Sequence, residues 1–596
     1  MLLNPIALAK HCAQSGRFND MQSVCQKMLA APDAVLADVL AVGHLYYQFG
    51  FFSLARLCFE RAQRMAPQDL RHHISLAEVL RDMGQHHEAG LVYTRLLQQL
   101  PDHAAVRRNA LTSLEYNPDV TDAARLAQAK AWGQWATARA GGAKARPPLR
   151  PLRGRPLRVG YVSADLCQHT VGLFLKDVLK AHSPERVQVF AYSAGAVKDW
   201  VTDELAAACT MRDVTALDDA ALVQCIRADA IDVLVDLSGH TAGSRLTAFA
   251  HRPAPVLVSW LGYFATTGLS DMDAVLLDEW HAPPGTESQF AEPIIRLPAG
   301  RFCYTPVSWT PDAVTAPPCL QQGHITFGCF NNTAKYNDGV LDLWAKVLQA
   351  VPGSRLVLKW RSFNDEEFCQ QVSSAFAQRG IAPERIELRG PSFHADLLKE
   401  YADIDIALDP FPFTGGLTSC EALWMGVPVV TWPQSRVVSR QTHALLHQIG
   451  LPELSATDAG DYVRIAAKLA ADPEKLVQLR VTLRDQMRAS PLMDVTAYTH
   501  QLEDALIGLY QRIESDTHAL TQKVIMSHIT IDGKTYELDS LSNEAKAQLA
   551  SLQFVDAELA RLQAQAAALQ TARMAYAKAL QEALPAQITG DTIKFS

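Results

Sequence analysis

Between residues 5 and 103 the apolar positions recur with the spacing of amphipathic helices, and glycine and proline interrupt them at regular intervals. Gly16, Gly50 and Gly84 stand 34 residues apart, and Ala55/Ala89, Phe59/Tyr93 and Pro67/Pro101 keep the same spacing. Each glycine ends one helical pattern, and each proline follows the second helix of a pair. A 34-residue helix–turn–helix period of this kind is the tetratricopeptide signature. The glycine permits the tight turn, and the small alanine lets paired helices approach closely. The stretch Thr121–Ala140 is predicted to cap the stack, so residues 1–140 are expected to form an α-solenoid that recognises a polypeptide along its concave face.

From Leu157 the pattern changes to short, continuous apolar runs separated by helical stretches. LRVGYVSAD, VQVFAYS, IDVLVDLSG and VLVSWLGY form one series, and HITFGCF, SRLVLKW, RIELRG, IDIALDP and VPVVTW form a second. Such runs predict parallel strands covered on both faces. Two Rossmann-like lobes are expected, 157–318 and 319–515, with strand C-terminal ends facing across a cleft. The fold class is therefore multidomain α and α/β. Gly141 to Arg158 holds four prolines, six basic residues and no acid. It reads as a linker, 141–156, whose charges are expected to be solvated rather than to bind nucleic acid.

The end of the chain differs again. ITIDGKTYEL, residues 529–538, alternates around Asp532-Gly533, a hairpin signal. A long Ala/Gln/Leu-rich helix is predicted to run to about Leu584, with Leu549, Leu552, Leu559, Leu562 and Leu569 on one stripe. Met526 precedes this pattern like a start codon. Residues 526–596 thus read as a hairpin-helix module. It is either a fused acceptor or docking protein, with Thr589, Thr592 and Ser596 on an extended tail, or a coiled-coil oligomerisation element.

Composition narrows the class. Of 596 residues, 48% are apolar and 20% charged, with a formal net charge of −8, which excludes general disorder and an overall basic surface. The 11 cysteines form no CxxC pair, as expected of a reducing compartment rather than a zinc ribbon or disulfide scaffold. The N-terminus lacks the order of a signal peptide, and no run of 18 apolar residues occurs. A cytoplasmic protein with no membrane or nucleic-acid partner is expected.

The stretches that carry chemistry lie at strand ends. In LDPFPFTGGLTSCEALWMGVPVVTWP, Gly415 and Gly416 allow a ligand close to the backbone. Thr418 and Ser419 stand at a helix start suited to a diphosphate, and Glu421 could accept ribose hydroxyls. In ITFGCFNNTAKYND, Lys335 would neutralise a leaving diphosphate. His169 and His240 follow strands and suit proton transfer or polar binding. Asp271/Asp273 and Asp403/Asp405 look like DxD metal motifs but read as strand ends.

These stretches together, LRVGYVSAD with His169, GHTAGSR, WLGY, FNNTAK and DPFPF with TSCEALWMGVPVVT, resemble the O-GlcNAc transferase/SPINDLY family of glycosyltransferases over residues 157–510. The resemblance implies a GT-B fold and metal-free, inverting transfer from a nucleotide sugar to Ser/Thr. The implied donor is UDP-GlcNAc, with GDP-fucose as the alternative. Lys335 is implied to contact the diphosphate, Thr418 and Ser419 the phosphates, and Glu421 the ribose. His169 and His240 are implied to lie near sugar and acceptor, Gly262 and Tyr263 in the sugar-pocket loop, and Arg440 at the family's SRVGASLL arginine. The general base stays open among His169, His240 and a donor phosphate oxygen. Two positions depart from the pattern: Leu417 replaces a threonine, and Leu397 stands where the family often has a histidine, with His394 three residues earlier. A decayed, non-catalytic repeat scaffold is the competing reading.

Overall fold

A computed structural model describes residues 4–531, 534–537 and 541–583. The chain divides at Tyr510/Gln511 into two units. In the first unit, three helix pairs come first: α1 (Pro5–Gln14) with α2 (Phe18–Ala30), α3 (Leu36–Gln48) with α4 (Phe52–Met65), and α5 (Arg71–Asp82) with α6 (His86–Gln99). Gly16, Gly50 and Gly84 sit at the turns with φ of 73°, 86° and 79°, a region open to glycine. At Gly84 an added Cβ would lie 2.7 Å from the Tyr336 carbonyl oxygen, so this turn is also pressed against the second lobe. Between these pairs and the cap lies α7 (Ala104–Tyr116), a helix beyond the three repeats and the cap that the sequence pattern predicts. The cap is α8 (Asp122–Arg139), whose first turn is closed by the Thr121 hydroxyl accepting from Ala124 N at 3.2 Å.

The first lobe is a seven-stranded parallel sheet in the order β3-β2-β1-β4-β5-β6-β7. Its strands are β1 Leu157–Ser163, β2 Val187–Ser193, β3 Thr210–Asp213, β4 Val233–Asp236, β5 Val256–Ser259, β6 Ala274–Leu277 and β7 Ile294–Arg296. The second lobe is a five-stranded parallel sheet in the order β10-β9-β8-β11-β12. Here β8 is Thr326–Cys329, β9 Arg355–Lys359, β10 Ile386–Arg389, β11 Ile406–Leu408 and β12 Val429–Val430. β4, β5, β6 and β8 are buried along their whole length, as expected of strands covered on both faces. β3 has no apolar run to announce it, because it is an edge strand with mostly exposed residues.

The helix that begins at Val495 carries the chain from the second lobe back onto the first. Tyr498 Oη donates to the Arg301 carbonyl at 2.7 Å, Glu503 Oε1 lies 3.0 Å from His182 Nδ1, and Tyr510 Oη donates to the Arg150 carbonyl at 2.9 Å. The linker is not a solvated spacer. Arg150 and Arg155 pair with the buried Asp232 at 2.9 and 2.6 Å, and Arg146 pairs with Asp273 at 2.7 Å. This corrects the expectation of free linker charge: a buried carboxylate needs partners, and the arginines supply them.

The second unit begins at Gln511, inside the helix Val495–Ser527, which contains Met526. Strands His528–Ile531 and Lys534–Glu537 pair antiparallel, and the helix Asn543–Ala583 follows. The turn Asp532-Gly533 and the tail with Thr589, Thr592 and Ser596 lie outside the described residues. Among the described residues, no helix is long and apolar enough to cross a membrane.

Candidate active site

Each sheet reverses its strand order once, and ligands of open α/β sheets bind at the strand C-termini beside that reversal. In the first lobe the reversal lies between β1 and β4, whose following loops carry His169 and His240. In the second it lies between β8 and β11, whose loops carry Lys335 and Gly415–Gly416. Topology thus puts the four sequence-predicted segments at two reversal points.

Lys335 closes the short turn Thr333–Lys335 after β8. Its Nζ donates to Asn331 Oδ1 and to the Thr414 carbonyl, both at 2.8 Å, and stands 4.8 Å from the centre of the Phe413 ring. Burial pulls the ammonium down to about 8, against the opposing pull of Asp409. The Thr414–Gly416 loop is anchored from below by Asp409. Its Oδ1 accepts from Gly415 N, and its Oδ2 from the Thr431 hydroxyl, both at 2.7 Å. Burial pushes this carboxyl up to about 6. Gly416 precedes the helix Leu417–Trp424 without any side-chain cap, which leaves the helix start to a ligand. Thr418 is half-buried there, but the Ser419 hydroxyl is buried and bonded to Thr442 Oγ1 at 2.7 Å, so Ser419 serves the loop through that bond.

Glu421, one turn on, lies 2.7 Å from His394 Nε2, and this hydrogen bond raises the His394 pKa. Trp309 Nε1 donates to His394 Nδ1 at 3.3 Å. The Arg440 guanidinium donates to the Trp280 carbonyl at 2.6 Å and to the Gln434 carbonyl at 3.2 Å, tying the lobes together.

The two histidines of the first lobe differ. His169 is half exposed and caps the helix Thr170–Ala181. Its Nδ1 accepts from Val171 N at 3.4 Å and stands 3.8 Å from Asp165 Oδ1. A nitrogen that accepts an amide proton carries none itself, so neutral His169 holds its proton on Nε2. His240 is 1% exposed, enclosed by the rings of Trp132 and Tyr263 with centroids at 4.5 and 5.2 Å. Its Nε2 donates to the Thr267 carbonyl at 2.9 Å, while Nδ1 has no hydrogen-bond partner. Burial pulls it down to about 4, so it is neutral at physiological pH. Gly262 and Tyr263 wall this pocket: the Gly262 α-carbon faces the Leu237 carbonyl with no room for a Cβ, and Arg301 donates to the Tyr263 carbonyl at 2.8 Å.

The repeats complete the site. Tyr116 of α7 stacks on Phe413 at 4.5 Å, and Phe413 meets Phe264 of the first lobe edge-on at 5.6 Å. The Thr112 hydroxyl donates to the His240 carbonyl at 2.5 Å. Asp409, Phe413, Tyr116 and Trp309 were not singled out from sequence. Only Asp409 left a signal, an acid between a strand and a Pro/Gly loop. Asp273 and Asp405 are taken up by Arg146 and Arg252 and by the amides of Cys319 and Thr326.

Two facing reversal points, a lysine beside a glycine-rich helix start and a return helix match a known family. The model of glycosyl transferase family 41 matches residues 147–304 and 316–502. The chain belongs to glycosyl transferase family 41. Among solved structures, a mutant of Thermobaculum terrenum O-GlcNAc transferase is 35% identical with a TM-score of 0.78, covering 86% of this chain and 98% of that one. The rice protein named "Probable UDP-N-acetylglucosamine--peptide N-acetylglucosaminyltransferase SPINDLY" is 36% identical over 443 residues, 72% of this chain and 47% of that protein. The Caenorhabditis elegans UDP-N-acetylglucosamine--peptide N-acetylglucosaminyltransferase is 24% identical over 482 residues, 61% of this chain and 41% of that protein. The chain spans about half the length of these two relatives. In this family 41 member, helical repeats followed by two Rossmann-like lobes are the shared architecture, and the matched segments include every predicted site residue from His169 to Arg440.

Proposed function

We propose that the chain is an inverting, metal-independent protein O-glycosyltransferase that moves GlcNAc from UDP-GlcNAc to Ser or Thr of a polypeptide recognised by the repeats. The observation that carries this reading is Lys335. Its ammonium is fixed by Asn331 and Thr414 beside the uncapped start of the helix Leu417–Trp424. In-line attack of a hydroxyl on the anomeric carbon expels a nucleoside diphosphate. The lysine and the first helical amides offset that charge where it develops. Thr418 would contact the diphosphate and Glu421 the ribose.

The tautomers bear on the base. With Nδ1 accepting from Val171 N, neutral His169 carries its proton on Nε2 and would act as a donor to phosphate or sugar rather than as a proton acceptor. His240 keeps a lone pair on Nδ1 but is enclosed. A donor phosphate oxygen is therefore the base this reading favours, with His240 second. The acceptor would approach through a cleft of about 670 Å³ between the repeats and the second lobe, lined by His86, Pro118, Tyr336, Asn337 and Phe411.

GDP-fucose is the second donor. The reason is that GHTAGSR and FNNTAK also resemble the SPINDLY branch of the family. Residues 526–596 would act as a fused acceptor or docking partner, and sugar on that segment by intact mass tests the acceptor role. Incubation with each nucleotide sugar and measurement of nucleoside diphosphate release and protein mass tests the whole reading. Nucleotide binding without transfer would favour a scaffold.

A further inference from the structure

Five contacts link the loop that carries His169 to Glu421 on the opposite lobe. Gln168 N donates to Asp199 Oδ2 at 2.7 Å, and Trp200 Nε1 donates to Gln168 Oε1 at 2.9 Å. The Trp200 ring meets Trp309 edge-on, centroids 5.3 Å apart at 79°. Trp309 Nε1 donates to His394 Nδ1 at 3.3 Å, and His394 Nε2 lies 2.7 Å from Glu421 Oε1. Trp200 and Gln168 belong to the first lobe, His394 and Glu421 to the second, and Trp309 to the segment that joins them.

The direction of each bond is set by chemistry. An indole N–H only donates, so His394 Nδ1 must be unprotonated to receive it, and the ring proton lies on Nε2. That proton points at Glu421, a carboxylate that is 7% exposed and lines a narrow interlobe pocket with Phe174, Tyr304 and Leu398. A carboxylate held at one oxygen presents the other in a fixed direction.

We propose that Trp309 is a positioning residue of the donor site: it holds His394 as the tautomer that orients Glu421 toward a ribose diol, and through Trp200 it ties that pair to the loop of His169. The proposal rests on the donor-site reading above and adds to it a residue outside both lobes' ligand loops. Trp309 does not touch the reacting atoms. It acts by fixing one acceptor for one hydroxyl pair, so its loss is felt in donor binding more than in chemistry.

The test uses the full chain, UDP and 2′,3′-dideoxy-UDP, with Trp309→Phe, which keeps an aromatic ring against Trp200 but removes the N–H, and Glu421→Gln. Wild type is expected to bind UDP about tenfold tighter than the dideoxy form. In Trp309→Phe that preference should shrink to about twofold, with kcat nearly unchanged and donor KM raised about fivefold. Glu421→Gln should lose the preference as well. Ring-nitrogen NMR of His394 supplies a readout that packing alone would not move: Nε2-protonated in wild type at pH 7, and taking its second proton at higher pH in Trp309→Phe. A Trp309→Phe protein that keeps both the full diol preference and the wild-type His394 titration overturns the proposal, as does a wild type that binds both nucleotides alike. A wild type that binds no nucleoside diphosphate overturns the donor-site reading itself.

Discussion

The Phe413 ring stacks on Tyr116 with centroids 4.5 Å apart and planes at 22°, so the last helix before the cap forms one wall of the loop that holds Lys335. The repeats are thus part of the site rather than an appended module. An aromatic pair of this kind contributes about 0.5–1.5 kcal/mol beyond its buried area. Tyr116→Ala is expected to lower unfolding stability by about 1 kcal/mol and raise donor KM about threefold, while Tyr116→Phe stays near wild type. Denaturant unfolding and donor kinetics on the two variants check this.

The pH profile should be bell-shaped. Lys335, pulled down to about 8 by burial, carries its charge below that pH and loses it above, so the alkaline limb of kcat/KM is expected near 8. Asp409, pushed up to about 6 by burial, holds Gly415 as an anion and is protonated as pH falls through that value. The acid limb is therefore expected near 6. Asp409→Asn should flatten the acid limb, and Lys335→Ala should remove the alkaline one along with most activity. His240, pulled down to about 4, should contribute no limb between 6 and 8.

The repeat–lobe interface has two tight points. At Gly133 an added Cβ would overlap the carbonyl oxygen of Gly268, and at Gly268 one would overlap that of Ala129. Gly133→Ala forces backbones apart and should cost about 1–3 kcal/mol. Arg436, 5% exposed, donates to the carbonyls of Leu114 at 3.2 Å, Asn117 at 2.8 Å and Val120, satisfying the end of α7. Arg436→Ala should cost about 2–4 kcal/mol by leaving those carbonyls unpaired. Thermal unfolding checks both, and an unchanged Tm in either would show that the repeats dock elsewhere.

Much of this was readable from local pattern. The 34-residue glycine spacing announces the repeats because each turn needs its own positive φ, and the apolar runs announce strands buried on both faces. What local pattern misses are pairings between residues far apart in the chain. Arg146, Arg150 and Arg155 look like linker charge until Asp232 and Asp273 are placed against them. Ser419 reads as a phosphate ligand at a helix start, and the fold adds the bond between its hydroxyl and that of Thr442. Arg440 reads as the family's motif arginine, and the fold adds its bond to the Trp280 carbonyl at 2.6 Å. Phe413 and Trp309 carry no motif, because a ring's role depends on which rings and cations the fold brings to it.

The most direct test of the central claim is nucleoside diphosphate release and protein mass with UDP-GlcNAc and with GDP-fucose, run beside Lys335→Ala. Wild type should turn over one of the two donors and gain the mass of its sugar on a polypeptide. Lys335→Ala should be slower by about a thousandfold, the scale of a lost preorganised charge at the leaving group. Turnover of neither donor, or equal turnover by Lys335→Ala, would contradict the account.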